Sequence, residues 1–211
     1  MNELDQYFKV MFDYIESVYP MAEEDIQGCR SYMHPWYLKK DDFLSMEGKV
    51  PHYHHFIVSG HVRNYHYDHN HEEVTVDLND GPRFFTSFND FFQRTVSNEN
   101  LQCVTDCTIL RLHRDDMEAM SAFPSMNEYS ALVMQKSWQD EKQRLIERTT
   151  LTAEERYCKL LRERPILIKQ YPLKHIASYL GIQPGSLSRI RKELASANPS
   201  RSEVTIDLIN S

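Results

Sequence analysis

The chain has 211 residues and a net charge of −7, with 41% hydrophobic and 26% charged residues, a composition typical of an ordered globular protein. No apolar run approaches the roughly 20 residues of a membrane-spanning helix, and residues 1–10 lack the basic-then-apolar pattern of an export signal. Because four cysteines are too few for a disulfide scaffold, we expect a soluble, reduced, cytoplasmic protein.

The N-terminal region predicts two helices. Apolar residues recur at helical spacing from Leu4 to Val18, and Pro20 ends the pattern. A second, short helix is expected after Glu23. It should end near His34-Pro35, since the residue before a proline is pushed out of the helical region.

The pattern becomes strand-like from Trp36 to about Arg114. Residues 56–62 predict a hairpin that turns at Gly60. Several short strands with no long helix between them predict an antiparallel sandwich or barrel. The further strand candidates, rich in Val, Thr, Phe and Ile, are residues 72–78, 83–88 and 101–112.

Helical periodicity returns after the strands. Asp115 to Met120 predicts a short helix, and Pro124 opens a longer one that runs to about Arg148. This long helix predicts a two-helix dimer seam, although its middle, Gln139 to Arg144, has no apolar residue. Its apolar positions are Met126, Tyr129, Leu132, Val133, Leu145 and Ile146.

The charge of the chain changes sign near its last quarter. Residues 1–150 hold 14 Lys and Arg and 25 Asp and Glu, a balance of −11, whereas residues 151–211 hold 10 and 6, a balance of +4. We place a domain boundary near Thr149–Thr150, ahead of the helix start predicted by Thr152 to Glu155. Only the basic C-terminal part is therefore expected to meet an anionic partner.

Residues 172–192 predict a helix-turn-helix. Ile176 and Leu180 are spaced for one buried face, and Gly181 stands where the turn favours a residue that tolerates positive φ. Leu187 returns the second helix to the core. The alternative is a helical hairpin that only packs on its neighbour.

The second helix of such a motif enters the DNA major groove, so its outward residues are candidate DNA contacts. Arg189 can form a bidentate contact with guanine, and Gln and Ser suit base or phosphate contacts. Arg191 points elsewhere on the helix and is assigned to phosphate. The candidate DNA-binding residues are Gln183, Ser186, Ser188, Arg189, Arg191 and Lys192.

Four segments carry a family resemblance. Residues 56–63, Phe-Ile-Val-Ser-Gly-His-Val-Arg, are similar to a hairpin of the cyclic-nucleotide-binding-like β-roll, and residues 153–157 resemble the entry to a DNA-binding domain. Residues 176–181 and 187–191 are the most specific match. On these segments, and over nearly its whole length, the chain resembles the cyclic-AMP receptor protein/FNR (Crp/Fnr) superfamily of bacterial transcription regulators, in its Bacteroidetes-type branch.

The resemblance implies an α+β fold in three parts. An N-terminal antiparallel, jelly-roll-like β-roll sensor with N-terminal helices is expected over residues 1–123, and a long dimerisation helix over 124–149. A winged helix-turn-helix is expected over 150–211. Because the chain after Ala195 leaves room for only one wing strand, we expect a reduced wing.

The resemblance also implies a homodimeric, DNA-binding transcriptional regulator that recognises a pseudo-palindromic operator. Arg189 matches the family's base-reading arginine and Ser188 a contact residue of the FNR branch, whereas Gly185 replaces a base-reading glutamate. Expected partners are double-stranded DNA, a second copy of the chain, RNA polymerase, and an unidentified small-molecule effector, if one exists, in the β-roll. No catalytic serine elbow, phosphate-binding glycine loop or close carboxylate pair is present, so we predict no enzyme and no cofactor.

The segment that would bind a cyclic nucleotide departs from the family pattern. Members that bind cyclic AMP carry Phe-Gly-Glu followed further on by Arg-(Ser/Thr)-Ala. Here Asn89-Asp90 replaces Gly-Glu, Glu99 stands where the arginine is expected, and Arg94 has the wrong offset. We therefore expect no response to cyclic AMP. The phenylalanines expected to fill the roll as core, or to line an apolar pocket, are Phe84, Phe85, Phe88, Phe91 and Phe92.

The remaining clusters are histidines and cysteines. Seven of the ten histidines fall between His52 and His71, which raises the alternative of a cupin-like metal-binding β-barrel protein or enzyme. The cupin spacing is not met, so we favour histidines on an exposed sheet face and no metal site. Cys103 and Cys107 are predicted on one strand, about 13 Å apart, as buried small apolar residues that do not pair.

Overall fold

The computed structural model describes residues 2–197 and divides the chain into two compact units. The first unit combines Met1–Asn64 with Asn79–Lys142, and the second combines Tyr65–Leu78 with the described part of Gln143–Ser211. These units are discontinuous along the chain. The predicted domains, 1–123, 124–149 and 150–211, have other boundaries than these two units. They stay a prediction about which parts of the chain fold independently.

The strands of the described chain form two four-stranded sheets. The strand pairs are antiparallel among β1, β3, β6 and β8 in the first sheet and between β2 and β7 in the second. The predicted α+β fold with an antiparallel, jelly-roll-like N-terminal part is thereby confirmed. One sheet has the order β1-β8-β3-β6 and the other β2-β7-β4-β5. The strands are β1 (Met33–Leu38), β2 (Phe43–Ser45), β3 (Tyr53–Ser59), β4 (His61–Tyr67), β5 (Glu73–Asp80), β6 (Arg83–Phe85), β7 (Asn100–Cys103) and β8 (Cys107–His113).

Gly60 makes a corner between the two sheets. The prediction of a hairpin at this glycine is wrong, since β3 and β4 lie in different sheets. Gly60 has φ +105°, and a Cβ atom there would lie 2.6 Å from the carbonyl oxygen of Asp106 and 2.6 Å from Cys107 Sγ. Only glycine allows this backbone to turn so close to the neighbouring chain.

Three predicted boundaries are also wrong. The second helix ends at Arg30, and Pro35 lies in β1, an edge strand in which a missing N–H is tolerated. The strand predicted over residues 83–88 ends at Phe85. The strand predicted over residues 101–112 is two strands in different sheets, because the chain turns between Cys103 and Cys107.

Two apolar clusters hold the first unit together. Met11 and Ile15 of the first helix pack with Phe56 in one cluster, and the other includes Ile57 and Leu101; all five are fully buried. Burial of this kind is the main favourable contribution to folding. The helices of this unit are α1 (Glu3–Glu16), α2 (Glu23–Arg30), α3 (Phe88–Gln93) and α4 (Met117–Met120), which follows a 3-10 turn at Arg114–Asp116.

The long helix, α5 (Pro124–Thr150), confirms the helix predicted from Pro124 to about Arg148. Its buried residues, Met126 and Tyr129, lie in its first turns, and near its end Arg144 forms an ion pair with Asp77 at 3.2 Å. Further along, apolar side chains point into solvent, and Trp138 is 75% exposed. Among the described residues, no helix is both long and apolar enough to cross a membrane.

The helices of the second unit pack around a small core. Thr152 and Glu155 form the capping box that starts its first helix, with Glu155 N 3.2 Å from Thr152 Oγ1. Tyr157, Leu167 and Ala177 are fully buried within this unit. The helices are α6 (Ala153–Glu163), α7 (Pro165–Gln170), α8 (Leu173–Tyr179) and α9 (Pro184–Ala197).

The short N-terminal segment of the second unit is fastened to these helices by hydrogen bonds. The Ser178 hydroxyl accepts a bond from the backbone N–H of Thr75 at 2.8 Å and donates one to the carbonyl of Glu73 at 3.3 Å. Arg164 donates a further bond to the carbonyl of Leu78 at 2.7 Å. The β5 backbone is therefore held by the first helix of the helix-turn-helix.

Candidate nucleic-acid interface

The turn between α8 and α9 is closed by a pair of backbone hydrogen bonds. Gly181 has φ +69°, and its N–H donates to the carbonyl of Ser178 at 3.0 Å. The N–H of Ile182 donates to the carbonyl of Ala177, also at 3.0 Å. This pair of bonds around a left-handed residue is the Schellman motif, which explains why a glycine ends the first helix.

The second helix, α9, is fixed by its own apolar side. Pro184 occupies the first helical position, where its missing N–H costs no hydrogen bond. Leu187 and Ile190 are 0% and 8% exposed, and they face the core together with Ala177 of α8. The register predicted from the sequence therefore holds, and the opposite side of α9 is left to solvent.

Arg189 and Lys192 are exposed on that outward side, one turn apart, with Gly185 one turn earlier. Ser188 lies beside them and is partly exposed, and Gln183 is exposed at the start of the helix. These side chains together offer a guanidinium, an ammonium, an amide and a hydroxyl. Such groups can donate hydrogen bonds to base edges and to phosphates.

Two candidate contacts lie at the margins of this face. Ser186 and Arg191 are both half-buried, on the flanks between the outward side and the core. Burial raises the pKa of Tyr157, and the positive charge of Arg191 nearby partly offsets that shift. Arg191 thus lies beside the core of the unit, and its assignment to phosphate stays a prediction.

The charge of the helix-turn-helix suits an anionic partner. Residues 173–197 carry four basic side chains, Lys174, Arg189, Arg191 and Lys192, against the single acidic Glu193. A local positive charge raises the rate and affinity of association with phosphate backbones. The predicted wing strand, residues 198–208, lies outside the described residues.

The segment equivalent to a nucleotide-binding cassette is built differently from the pattern that binds cyclic AMP. The carboxylate of Asp90 accepts a hydrogen bond from the hydroxyl of Thr95 at 3.1 Å. Arg94 is 63% exposed in its side chain and lies 3.6 Å from Asp115, at the end of α3. Arg94, which the sequence offered at the wrong offset in place of the missing phosphate-binding arginine, thus points toward an acidic surface residue.

The phenylalanines of this segment divide into two groups. Phe85 and Phe91 are buried, as expected of core residues. Phe88 and Phe92 are 48% and 47% exposed, so their prediction as core is wrong, because residues 88–93 form a short surface helix. Their rings pack on each other at 4.6 Å.

The histidines form the predicted exposed face only in part: His52, His69 and His71 are exposed, whereas others pack inside. His55 is 1% exposed, and its ring lies 5.3 Å from that of Phe85. His54 stacks on Phe84 at 5.5 Å. Burial lowers the pKa of His54 to about 4 and that of His55 to about 3, so both rings are neutral near pH 7.

Metal ligation finds no support in the part of the chain that is described. No three His, Cys, Asp or Glu side chains among residues 2–197 lie together as a metal site requires. The cupin-like alternative rested on the cluster from His52 to His71. In the structure two of its members are packed among aromatic rings instead.

Comparison with known proteins agrees with this architecture. Residues 35–122 match the family model of the cyclic nucleotide-binding domain. No curated protein sequence matches the chain. The fold is that of regulators of the Crp/Fnr type, as solved structures show.

Three solved structures illustrate the likeness. The c-di-GMP responsive global regulator CLP of Xanthomonas campestris is 12% identical with a TM-score of 0.66, over 84% of this chain and 93% of that one. FixK2 of Bradyrhizobium japonicum is 16% identical with a TM-score of 0.67, over 79% and 86%. The catabolite activator protein of Thermus thermophilus is 18% identical with a TM-score of 0.52, over 84% and 85%. At these identities the likeness establishes the fold.

Two features of the structure were missed from the sequence. Ser178 looks like an ordinary polar residue of a helix, and nothing near it in sequence indicates its bonds to Thr75 and Glu73. The second feature is the exposed Trp138. It could have been noticed in the sequence, since a tryptophan in a polar stretch of a long helix is unusual.

Proposed function

We propose that the chain is a homodimeric, DNA-binding transcriptional regulator of the Crp/Fnr type, without enzymatic activity, that works in the cytoplasm. The observation that carries the proposal is the helix-turn-helix closed at Gly181, with Arg189 and Lys192 exposed on the outward side of α9. A helix that only packed on its neighbour would have no need of this basic face. Membership of the Bacteroidetes-type branch is part of the same proposal.

The exposed side chains of α9 are assigned different contacts with DNA. Arg189 is the group that forms a bidentate contact with guanine, while Lys192 and Ser188 contact phosphates or flanking bases. Gly185 has no side chain to accept a hydrogen bond from cytosine. We therefore expect an operator half-site that depends on one strong guanine contact and is tolerant at the neighbouring position.

Dimerisation is assigned to the exposed side of α5. Trp138 and Leu145 are seven residues apart, which places them on one side of the helix. Large apolar side chains on a helix surface are expected to be covered by a partner. The residues concerned are Leu132 (40% exposed), Met134 (52%), Trp138 (75%), Leu145 (66%) and Ile146 (44%).

The experiment that tests the function is selection of bound sequences from a random DNA duplex pool. A dimeric regulator is expected to enrich a two-fold symmetric motif whose half-sites lie about 10 base pairs apart. Binding to that motif should weaken steeply as salt is raised. If no sequence is enriched even at low salt, the proposal is wrong or the protein requires an effector, and recording the bound metal and small molecules in the same preparation separates these outcomes.

Replacing Arg189 by Ala is expected to weaken binding to the selected operator by about 5- to 150-fold and to relax its preference at one base pair, because a bidentate guanine contact contributes about 1–3 kcal/mol. Fluorescence anisotropy on the operator and on its single-base variants measures both effects. Arg162→Ala, which removes an exposed arginine from α6 in the same unit, is the matched control. If Arg189→Ala and the wild type bind the operator equally, the assignment of α9 as the helix that contacts the DNA bases is contradicted.

Cyclic AMP is expected to leave the protein unchanged. The Asn89-Asp90 pair replaces the required Gly-Glu, and Arg94 faces Asp115 instead of a ligand. The thermal unfolding midpoint with millimolar cyclic AMP should therefore equal that without it, whereas a bound nucleotide would raise it. A regulator known to bind cyclic AMP serves as the positive control, and an increase of several degrees in this protein would show the expectation to be wrong.

A further inference from the structure

β5 is an edge strand of the second sheet, and a serine of α8 takes the place of a further strand beside it. β5 stands last in the order β2-β7-β4-β5, so one side of its backbone has no partner among the described strands. The hydroxyl of Ser178 accepts a hydrogen bond from the N–H of Thr75 at 2.8 Å and donates one to the carbonyl of Glu73 at 3.3 Å. Two backbone groups that an edge strand would leave open are thus satisfied by one side chain of the helix-turn-helix.

Two arginines attach the same stretch of β5 to other helices. Arg164, between α6 and α7, donates a hydrogen bond to the carbonyl of Leu78 at 2.7 Å. Arg144, near the end of α5, lies 3.2 Å from the carboxylate of Asp77, and these side chains are only 31% and 17% exposed. A partly buried ion pair is screened less by salt than a pair on the open surface. We call residues 73–78 the strap, because this one stretch is attached to α5, to the junction of α6 and α7, and to α8.

Ser178 connects the strap to the recognition helix, α9. Its side chain bonds the strap, and its carbonyl accepts the N–H of Gly181 at 3.0 Å in the turn that leads into α9. Ala177 and Leu187, on either side of this turn, are both 0% exposed. The two helices therefore move as one body, and a shift of α8 against the strap also shifts α9.

The bond between Thr75 and Ser178 is costly to break. Thr75 is 0% exposed, so no water can replace the hydroxyl of Ser178 as the acceptor for its N–H. A buried donor that loses its acceptor is penalised more than an exposed one. The strap is therefore expected to stay attached while the second unit remains folded.

We propose that the strap fixes the orientation of the helix-turn-helix at the end of α5, and that Ser178 is a positioning residue for operator binding. The inference rests on the proposed function, because it assigns the strap a role in DNA recognition. Two recognition helices must enter two half-sites one helical turn apart. A helix-turn-helix already held in one orientation loses less freedom when it binds. Arg189 and Lys192 lie exposed on the outward side of α9, so the strap leaves them available to DNA.

Ser178→Ala tests the strap without DNA. Alanine is the best helix former, so this substitution removes the hydroxyl without weakening α8. Hydrogen–deuterium exchange of the full-length protein, followed by mass spectrometry, is expected to be about 10-fold faster in peptides that cover residues 73–78. Peptides that cover residues 33–38, in β1, should exchange as in the wild type. Thr150→Ala is the matched control, because the exposed Thr150 hydroxyl bonds the carbonyl of Ile146 in its own helix.

The effect on DNA is measured with two duplexes, the two-fold symmetric operator and a single half-site. Ser178→Ala is expected to bind the symmetric operator about 10-fold more weakly than the wild type, because both helix-turn-helix units must then be ordered on binding. Its affinity for the half-site should equal that of the wild type, since one unit can turn freely onto one site. Arg164→Ala, which removes the attachment at Leu78, should give the same pattern from a different helix.

Each result decides the proposal. If residues 73–78 exchange equally fast in Ser178→Ala and the wild type, Ser178 does not hold the strap and the proposal is overturned. It is also overturned if the variant binds the symmetric operator as tightly as the wild type, or loses the same factor on the half-site, since Ser178 would then support α9 itself. If the wild type selects no DNA sequence, the proposed function fails, and the exchange measurement alone decides whether the strap holds the helix-turn-helix.

Discussion

Replacing Trp138 by Asp is expected to make the protein monomeric at micromolar concentration, where the wild type is a dimer. The indole is 75% exposed on α5 and lies in line with Leu145, which is 66% exposed. An aromatic residue near the centre of an interface can contribute about 2–4 kcal/mol to binding. A carboxylate at the same point adds the cost of its desolvation, because it would face its own copy across a two-fold axis.

Analytical ultracentrifugation checks this expectation, and operator binding gives a second measurement. A monomer contacts one half-site only, so operator affinity should fall by more than 100-fold while the α-helical circular dichroism signal is retained. Ser137→Asp is the matched control, because it introduces the same charge at the next residue, about 100° around the helix. If Trp138→Asp sediments as a dimer, α5 is not the dimerisation helix.

Replacing Gly60 by Ala is expected to lower the free energy of unfolding by about 3 kcal/mol or more. The added Cβ would lie 2.6 Å from the carbonyl oxygen of Asp106 and 2.9 Å from Cys107 Cα, which are backbone atoms that cannot move away on their own. The residue also has φ +105°, a conformation that alanine adopts only with strain. Denaturant unfolding followed by intrinsic fluorescence measures the loss.

Gly48 separates the two contributions. It has φ +79°, but a Cβ there would have no atom within 4 Å. Gly48→Ala should therefore show the conformational strain alone, about 1–2 kcal/mol. Equal losses at Gly48 and Gly60 would mean that the close approach at the sheet corner has no energetic importance.

Local patterns predicted the longer helices of the chain, although α3 and α7 were not predicted. The positions of Gly181, Leu187 and Ile190 specify the helix-turn-helix because a helix presents residues three and four apart on one side. Pro124 and Thr152 mark helix starts for reasons that lie within one turn of chain. The candidate contacts Arg189 and Lys192 accordingly lie on the outward side of α9, where the pattern put them.

Strand partners were harder to predict, because pairing depends on residues far apart in sequence. Nothing local shows that Gly60 joins two sheets, or that residues 104–106 are a turn and not the middle of a strand. The packing of His54 and His55 among aromatic rings has the same origin, since their aromatic neighbours Phe84 and Phe85 come from another strand. From the sequence alone, a histidine beside other histidines is expected to be a polar, exposed residue. Only its aromatic neighbours in the fold show that it packs inside.

The hydrogen bond between Thr75 and Ser178 has a consequence for the order in which the protein folds. Helices α6 to α9 are built from neighbouring stretches of chain and can associate quickly, whereas this bond joins residues 103 apart in sequence. During synthesis the Thr75 amide emerges long before Ser178 exists, so it must wait for its partner. We expect the docking of residues 65–78 onto the C-terminal helices to be the last step in the folding of the second unit. It can be completed only after the end of α8 has left the ribosome.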